Sequence, residues 1–353
     1  MVLMTIDHAS GAFNAGRLLT DATHMYRPGT ALDPAQFLTR WVTHLCAPTF
    51  LFLAGAALAV SLSRRSAAGE PARATDRHLL VRGLFILVLD PLWMSWMFLG
   101  PGHVLLQVLY AIGASLLCMI PLRRLPAGVL LALALGLFFG GEALMDLGLW
   151  LCGGQPGLPL ALLLTGGRFG PLIVGYPLLP WLSCMLLGWC FGRVFERWRD
   201  QGVLVRRLAG AGALGLCLFA VVRGLNGYGN ALLLRDDGSL VQWLHVSKYP
   251  PSLSYAALEL SLAAVALALL LGLRGASGRL LGTLGTLGRT AFFYYLLHAH
   301  VLVLGAVGLG LHKASGLLAT YLATGAAILL LLPLCRRYDA YKRAHPTGWT
   351  RLV

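Results

Sequence analysis

TRWVTHLCAPTFLFLAG, Thr39 to Gly55, sets the polar and apolar demands of this chain against each other, and the fold follows from how they are reconciled. Arg40, Trp41 and His44 crowd its first turn, and Pro48 follows. Phe50 to Val60 is then almost wholly apolar until Ser61, Ser63 and the Arg64-Arg65 pair. The stretch reads as a membrane span that begins with chemistry. On a continuous helix Arg40 and His44, four apart, share one face. At a membrane boundary such a pair serves either as interfacial anchors, with the charged heads in water, or as the wall of a polar pocket.

Composition extends this reading to the whole chain. Of 353 residues, 58% are hydrophobic and 12% charged, about half the usual charged share of a soluble domain. The expected fold is all-α, a polytopic transmembrane helix bundle forming a single integral membrane domain over residues 1–353. Seven cysteines include no CxxC pair, and most lie in apolar runs (Cys118, Cys184, Cys190, Cys217, Cys335), so neither a zinc site nor a disulfide framework is indicated.

A bilayer crossing takes about 20 apolar residues. Segments of that length fall near 40–62, 79–99, 103–122, 126–146, 173–195, 207–226, 251–273, 287–310 and 316–335, giving about nine full spans. Ahead of them stands a stub, MVLMTIDHASGAF, Met1 to Phe13, too short to cross and without the basic start or small-residue cleavage site of a signal peptide. It reads as the second half of a truncated first span.

The basic residues act as a compass. Arg64, Arg65, Arg73, Arg77 and Arg82, then Arg123 and Arg124, then Arg193, Arg197, Arg199, Arg206 and Arg207, then Arg274, Arg279 and Arg289, and finally Arg336, Arg337, Lys342 and Arg343 all fall on one side if the spans alternate. By the positive-inside rule that side, with the C-terminus, is cytoplasmic. The net charge of +14 is therefore topology and phospholipid contact, and nucleic acid is not an expected partner. The segments left outside, 14–39, 147–172 and 227–250, carry few Lys or Arg.

Polar groups concentrate outside. Asp7, His8, His24, Arg27 and Asp33 precede the organising span, while Arg223, Asn226, Tyr228, Asp236, Asp237, His245, Lys248 and Tyr249 lie at or near the outer loop 224–251. That loop is too long for a turn, and NGYGN and KYPPSL mark irregular backbone. Within spans, Asp90, Glu142, Glu259, His298 and His300 are costly in lipid and together imply a polar interior. His8 is the sharpest candidate. It stands next to Asp7, and a neighbouring carboxylate raises basicity or fixes a tautomer, although adjacent helical residues point about 100° apart. No GxSxG, P-loop, HExxH or GxGxxG occurs in a usable context, which weighs against serine hydrolases, nucleotide-driven proteins and metalloproteases.

In chain order, MVLMTIDHASGAF, LDPAQFLTRWVTHLCAPTFLFLAG, LQVLYAIG, YPLLPWLSCMLLGW, RGLNGYGN, KYPPSL and LGRTAFFYYLLHAH resemble bacterial members of the heparan-α-glucosaminide N-acetyltransferase catalytic-domain family, transmembrane acyltransferases. The resemblance runs from Met1 to about Val303. It implies a membrane acyltransferase that moves an acetyl or other acyl group from cytosolic acetyl-CoA, a co-substrate, to an amino sugar or other glycan acceptor on the outer side, with no metal. It also implies the bacterial inner membrane, contact with lipids, and room for a homodimer. In the family's animal member the catalytic histidine lies in the outer loop ahead of the second span, matching His24. Related sugar O-acetylating enzymes place theirs at the outer end of the first span, matching His8.

The candidate catalytic residues are thus His8 with Asp7, then His44, then His24. Arg40, His298, Tyr228, Lys248 and Tyr249 are candidates for the acceptor. Arg64, Arg65, Arg82, Arg123, Arg124 and Arg289 are candidates for the acyl-CoA phosphates, which guanidinium groups hold by charge-assisted hydrogen bonds. The rival from another class is a transporter or permease for a small solute. Its expected mark is an internal repeat with broken spans at matching positions. No convincing repeat is visible.

Overall fold

The computed structural model describes residues 1–195, 200–273 and 278–345, so Arg197, Arg199 and Arg274 of the basic clusters lie outside the described residues. The helices in order are α1 (Val2–Phe13), α2 (Pro34–Trp41), α3 (Cys46–Ala67), α4 (Ala72–Leu89), α5 (Val108–Leu122), α6 (Ala127–Leu151), α7 (Leu178–Phe195), α8 (Gln201–Leu225), α9 (Leu253–Gly272), α10 (Arg279–Arg289), α11 (Ala291–Gly308) and α12 (Leu317–Ala344). The fold is an all-α polytopic bundle. Eight helical segments among the described residues are long and apolar enough to cross a membrane. The chain is an integral membrane protein.

It divides into two compact units. The first holds residues 1–19, 31–46 and 275–353, hence α1, α2, α10, α11 and α12. Its core is small and apolar: Ala9, Ala12 and Phe13 of α1 pack with Leu302 and Ala306 of α11 and Ala327 of α12. Alanines at this seam let backbones approach closely, which is what packing in lipid requires.

The second unit holds residues 20–30 and 47–274. Its helices pair α8 with α9, α4 with α5, and α6 with α7. Gly188 of α7 lies so close to α3 that a Cβ there would land on the Phe52 carbonyl, and at Gly55 of α3 it would land on that of Met185. The last residue of the organising stretch is therefore a contact point between helices. A small sheet of order β1-β3-β2 joins Val104–Leu106 (β1), Gly167–Phe169 (β2) and Leu172–Val174 (β3), with β1 parallel and β2 antiparallel to β3.

Two expectations need correction. The span read as 103–122 begins as strand β1, and its helix covers only Val108–Leu122, 15 residues or about 22 Å. Residues 104–106 are drawn into the sheet, and Asp90 then starts the helix by accepting from the backbone N–H groups of Gln107 (2.8 Å) and Tyr110 (2.6 Å). Arg40 and His44, in turn, do not share a face of one continuous helix. α2 ends at Trp41, residues 42–45 form a turn, and α3 starts at Cys46. Pro48 is the cause, since its ring would clash with the His44 carbonyl in an unbroken helix and it has no N–H to offer. The turn closes through shorter bonds, Thr43 N–H to Arg40 O (3.2 Å) and His44 N–H to Trp41 O (2.9 Å). At the third position of α3 the missing N–H costs nothing.

Candidate active site

In the first unit, α1 carries two polar groups in different directions. Thr5 and His8, three apart, face α11 with the apolar seam of Ala9 and Ala12 beside them. Asp7 points elsewhere, and its carboxylate accepts from Arg17, past the end of α1, at 2.8 Å and from Arg40 of α2. Arg40 is buried, and Arg17 and Asp7 are nearly so. One carboxylate between two guanidinium groups leaves a formal charge of +1, an arrangement suited to an anion or a developing oxyanion.

On the α11 side, the Thr5 and Tyr294 hydroxyls are 2.7 Å apart. His8 Nδ1 lies 2.6 Å from His298 Nε2. His298 is fully buried, and its Nδ1 lies 3.1 Å from the Tyr294 carbonyl and 2.8 Å from that of Tyr295. His44 is also buried, in the turn after α2. Asp7 is thus paired with Arg40 and His8 with His298, two bonded groups that α1 carries on different faces, and each meets the cost of ionisable groups in lipid. The bond at His8 Nδ1 runs to a histidine, where the sequence had pointed to the adjacent carboxylate.

The second unit holds the other candidates. His24 is exposed on a one-turn helix, Thr23–Met25. That turn is tied to the long loop 224–251: Thr23 donates to the Ala231 carbonyl (2.6 Å), Tyr26 donates to Asp236 (2.5 Å), and Gln242 donates to the Tyr26 hydroxyl (2.9 Å). Burial, with Asp236 beside it, pushes the Tyr26 phenol above its ordinary range. His245 donates from Nε2 to the Thr20 carbonyl (2.8 Å), and burial holds the ring below the usual histidine value.

Arg223 organises that loop. It is fully buried and donates to the carbonyls of Trp243 (3.2 Å), Leu233 (2.9 Å), Gln242 (2.5 Å) and His245 (2.9 Å) and to the Asn230 side chain (2.9 Å). Glu142 of α6 supports the same loop by accepting from the N–H groups of Gly229 (2.6 Å) and Ala231 (3.1 Å). Of the expected acceptor-binding residues, Arg40 and His298 belong to the first unit, and Tyr228, Lys248 and Tyr249 to the second. Tyr228 is exposed and donates to the Phe139 carbonyl (2.5 Å). Lys248 is buried with Nζ 5.3 Å from the Tyr249 ring centroid, and Tyr249 meets Tyr176 edge to face at 5.8 Å.

The arginines expected to hold phosphates are already engaged to different degrees. Arg123 and Arg124 both bond Asp76 at 2.6 Å, Arg65 bonds Glu70 at 2.9 Å, and Arg289 of the first unit bonds Asp339 at 2.9 Å. Arg82 is half-buried on α4. Arg64 is exposed and, with Arg65, lines an otherwise apolar cleft of about 630 Å³ between α3, α7 and α9.

Sequence reasoning missed Arg17, Thr5 and Tyr294. Arg17 stands in irregular backbone after α1, where no periodicity relates it to Asp7. Its one available signal was its presence in a segment that carries few basic residues. Thr5 shares the His8 face by simple helical spacing and was legible there.

Fold and site together define a polytopic membrane protein with a buried histidine and arginine cluster among its helices. The chain belongs to the family of the heparan-alpha-glucosaminide N-acetyltransferase catalytic domain, whose model matches residues 18–220. Its function is accordingly of the membrane acetyltransferase type. The match includes His24, Arg40, His44 and the Arg64 to Arg124 set, while His8 and His298 lie outside it. No curated protein matches the chain.

Proposed function

We propose that the protein transfers an acetyl group from acetyl-CoA to the amine of an amino sugar, or to another glycan acceptor, on the outer side of the bacterial inner membrane, with its C-terminus cytoplasmic. The observation that carries this reading is the buried first-unit cluster, in which Asp7 spans Arg17 and Arg40 and His8 bonds His298. The reaction needs a base for the acceptor and a cation for the oxyanion, and the cluster supplies both kinds of group.

The acceptor nitrogen attacks the thioester carbonyl carbon while the imidazole of His8 takes one N–H proton at Nε2. The carbonyl oxygen gathers negative charge, which Arg17 and Arg40 stabilise. As the carbonyl re-forms, the C–S bond breaks, and the departing thiolate takes the proton from the imidazolium. The products are the acetamide and free CoA thiol, and His8 is returned neutral. Among the described arginines of the second unit, Arg64 and Arg65 are the best placed to receive donor phosphates, because they border a cleft large enough to admit a ligand segment. The distribution of basic residues supports the side assignment.

One observation favours a second assignment of the base. The family match contains His24 and not His8, and His24 is exposed on a turn that the outer loop holds in place. The transporter reading has no comparable support, since the family match weighs against it.

The test is radiolabelled acetyl transfer from acetyl-CoA to glucosamine in proteoliposomes of the purified protein, with CoA thiol release followed in parallel. Acceptor-dependent thiol release with labelled acetamide formed is expected. Uptake of an unmodified solute without thiol release would point to transport instead.

A further inference from the structure

We infer that His298 is a positioning residue which fixes His8 in the tautomer that presents its Nε2 lone pair for catalysis. The inference deepens the proposed function and rests on its assignment of His8 as the base.

Backbone carbonyls only accept hydrogen bonds. His298 Nδ1 lies 3.1 and 2.8 Å from the carbonyls of Tyr294 and Tyr295, so it carries the ring proton and donates. In a neutral ring the other nitrogen, Nε2, then holds a lone pair. His8 Nδ1 sits 2.6 Å from that lone pair and must donate to it. His8 therefore has its proton on Nδ1, and the in-plane lone pair of its Nε2 is the basic one.

Ring geometry agrees. The two planes differ by 16° and the centroids are 4.8 Å apart, with the bonded nitrogens 2.6 Å apart. The centroids are thus farther apart than the nitrogens by about one ring's width. The rings lie end to end in nearly one plane, with the proton aimed along the lone pair, which is the favourable direction for such a bond. A face-to-face stack would not produce this.

The chain of donors starts where it cannot be reversed. α11 is a regular helix, and the Tyr294 and Tyr295 carbonyls sit four and three residues before His298, one turn back along it. Turning His298 around would need a carbonyl to donate. The groups packed about the pair are the Tyr294 hydroxyl, held by Thr5, and the Tyr295 ring, with the Asp7, Arg17 and Arg40 cluster on the next face of α1. When His8 takes the acceptor's proton on Nε2, its Nδ1 proton still points to His298. His298 keeps its own proton throughout, so it orients without relaying.

The experiment is tautomer-resolved NMR on protein with ¹⁵N-labelled histidine in lipid nanodiscs, with the His8 signals assigned by their loss in H8A. The wild-type spectrum is expected to show His8 protonated at Nδ1. H298Q keeps an acceptor oxygen for that proton, so it should preserve the His8 signature and hold kcat within about tenfold of wild type. H298L should shift His8 toward the Nε2-protonated form and lower kcat by about a hundredfold, with KM for acetyl-CoA unchanged. A wild-type His8 protonated at Nε2, or an H298L protein with an unaltered His8 signature, overturns the inference. If H8A transfers acetyl groups normally while the tautomer behaves as described, the assignment of the base fails and the structural coupling of the two histidines stands.

Discussion

The first-unit cluster and the long loop of the second unit both bury charge, yet they use it differently. In the loop, Arg223 gives most of its donors to backbone carbonyls and Glu142 accepts from backbone N–H groups. In the cluster, Asp7 bonds the side chains of Arg17 and Arg40, and His8 bonds that of His298, whose other ring nitrogen faces backbone carbonyls. Side chains that satisfy backbone replace the secondary structure an irregular segment lacks, and their work is architectural. Side chains that satisfy each other have no such duty, and their retention in an apolar bundle calls for a chemical reason. An ionisable residue in a span is thus best judged by what it bonds.

If that distinction holds, Arg223→Met should cause the largest loss of stability in the molecule. It would leave four buried carbonyls and the Asn230 amide oxygen without their Arg223 donors, at a total cost of more than about 3 kcal/mol. The readout is the unfolding midpoint in detergent, and an unshifted midpoint would remove the loop's architectural account.

Asp7→Asn probes the other side of the comparison. Weakening the bridge between Arg17 and Arg40 should lower acetyl transfer by about a hundredfold through loss of their alignment. Wild-type turnover with normal folding would reduce the cluster to an interfacial anchor. A smaller effect is expected at the arginine-lined cleft. The double variant R64A/R65A should raise KM for acetyl-CoA about tenfold and leave kcat unchanged, as loss of binding shared by ground and transition states does. A fall in kcat at constant KM would contradict phosphate binding there.

The smallest effect is a pH dependence confined to the loop. Burial lowers the His245 value, so the folded loop binds fewer protons than the unfolded chain just below the usual histidine value of about 6.5. Stability should therefore fall as pH drops through that window, with a slope of at most about 1.4 kcal/mol per pH unit. Asp21, Arg223 and Asp236 are the charged neighbours that modulate it. Melting midpoints between pH 7 and 5 should show a shallower slope in H245Q, and equal slopes would mean that His245 does not report on the loop.

Much of this was legible in the sequence because lipid leaves little freedom. Apolar length gave the long helices, and the cost of charge in lipid singled out Asp7, His8, Arg40, His44 and His298, of which the structure pairs Asp7 with Arg40 and His8 with His298. What stayed hidden lay in irregular backbone. The break after Trp41 follows from Pro48 and could have been read from it, since proline forbids the helix that the Arg40 and His44 spacing assumed. Arg17 could not be placed by period, because a loop has none. The three-residue strand Val104–Leu106 is too short to stand out from an apolar run, and only its partner at Leu172–Val174 makes it a strand.

The central claim is that the buried cluster carries the chemistry and the long loop of the second unit carries architecture. It is tested most directly by radiolabelled acetyl transfer to glucosamine in proteoliposomes, comparing H8A with H24A at matched acetyl-CoA occupancy. H8A should lose at least about a hundredfold in transfer while still binding acetyl-CoA, and H24A should stay within about tenfold of wild type. Undiminished transfer by H8A together with loss in H24A would contradict the account and move the base to the Thr23–Met25 turn.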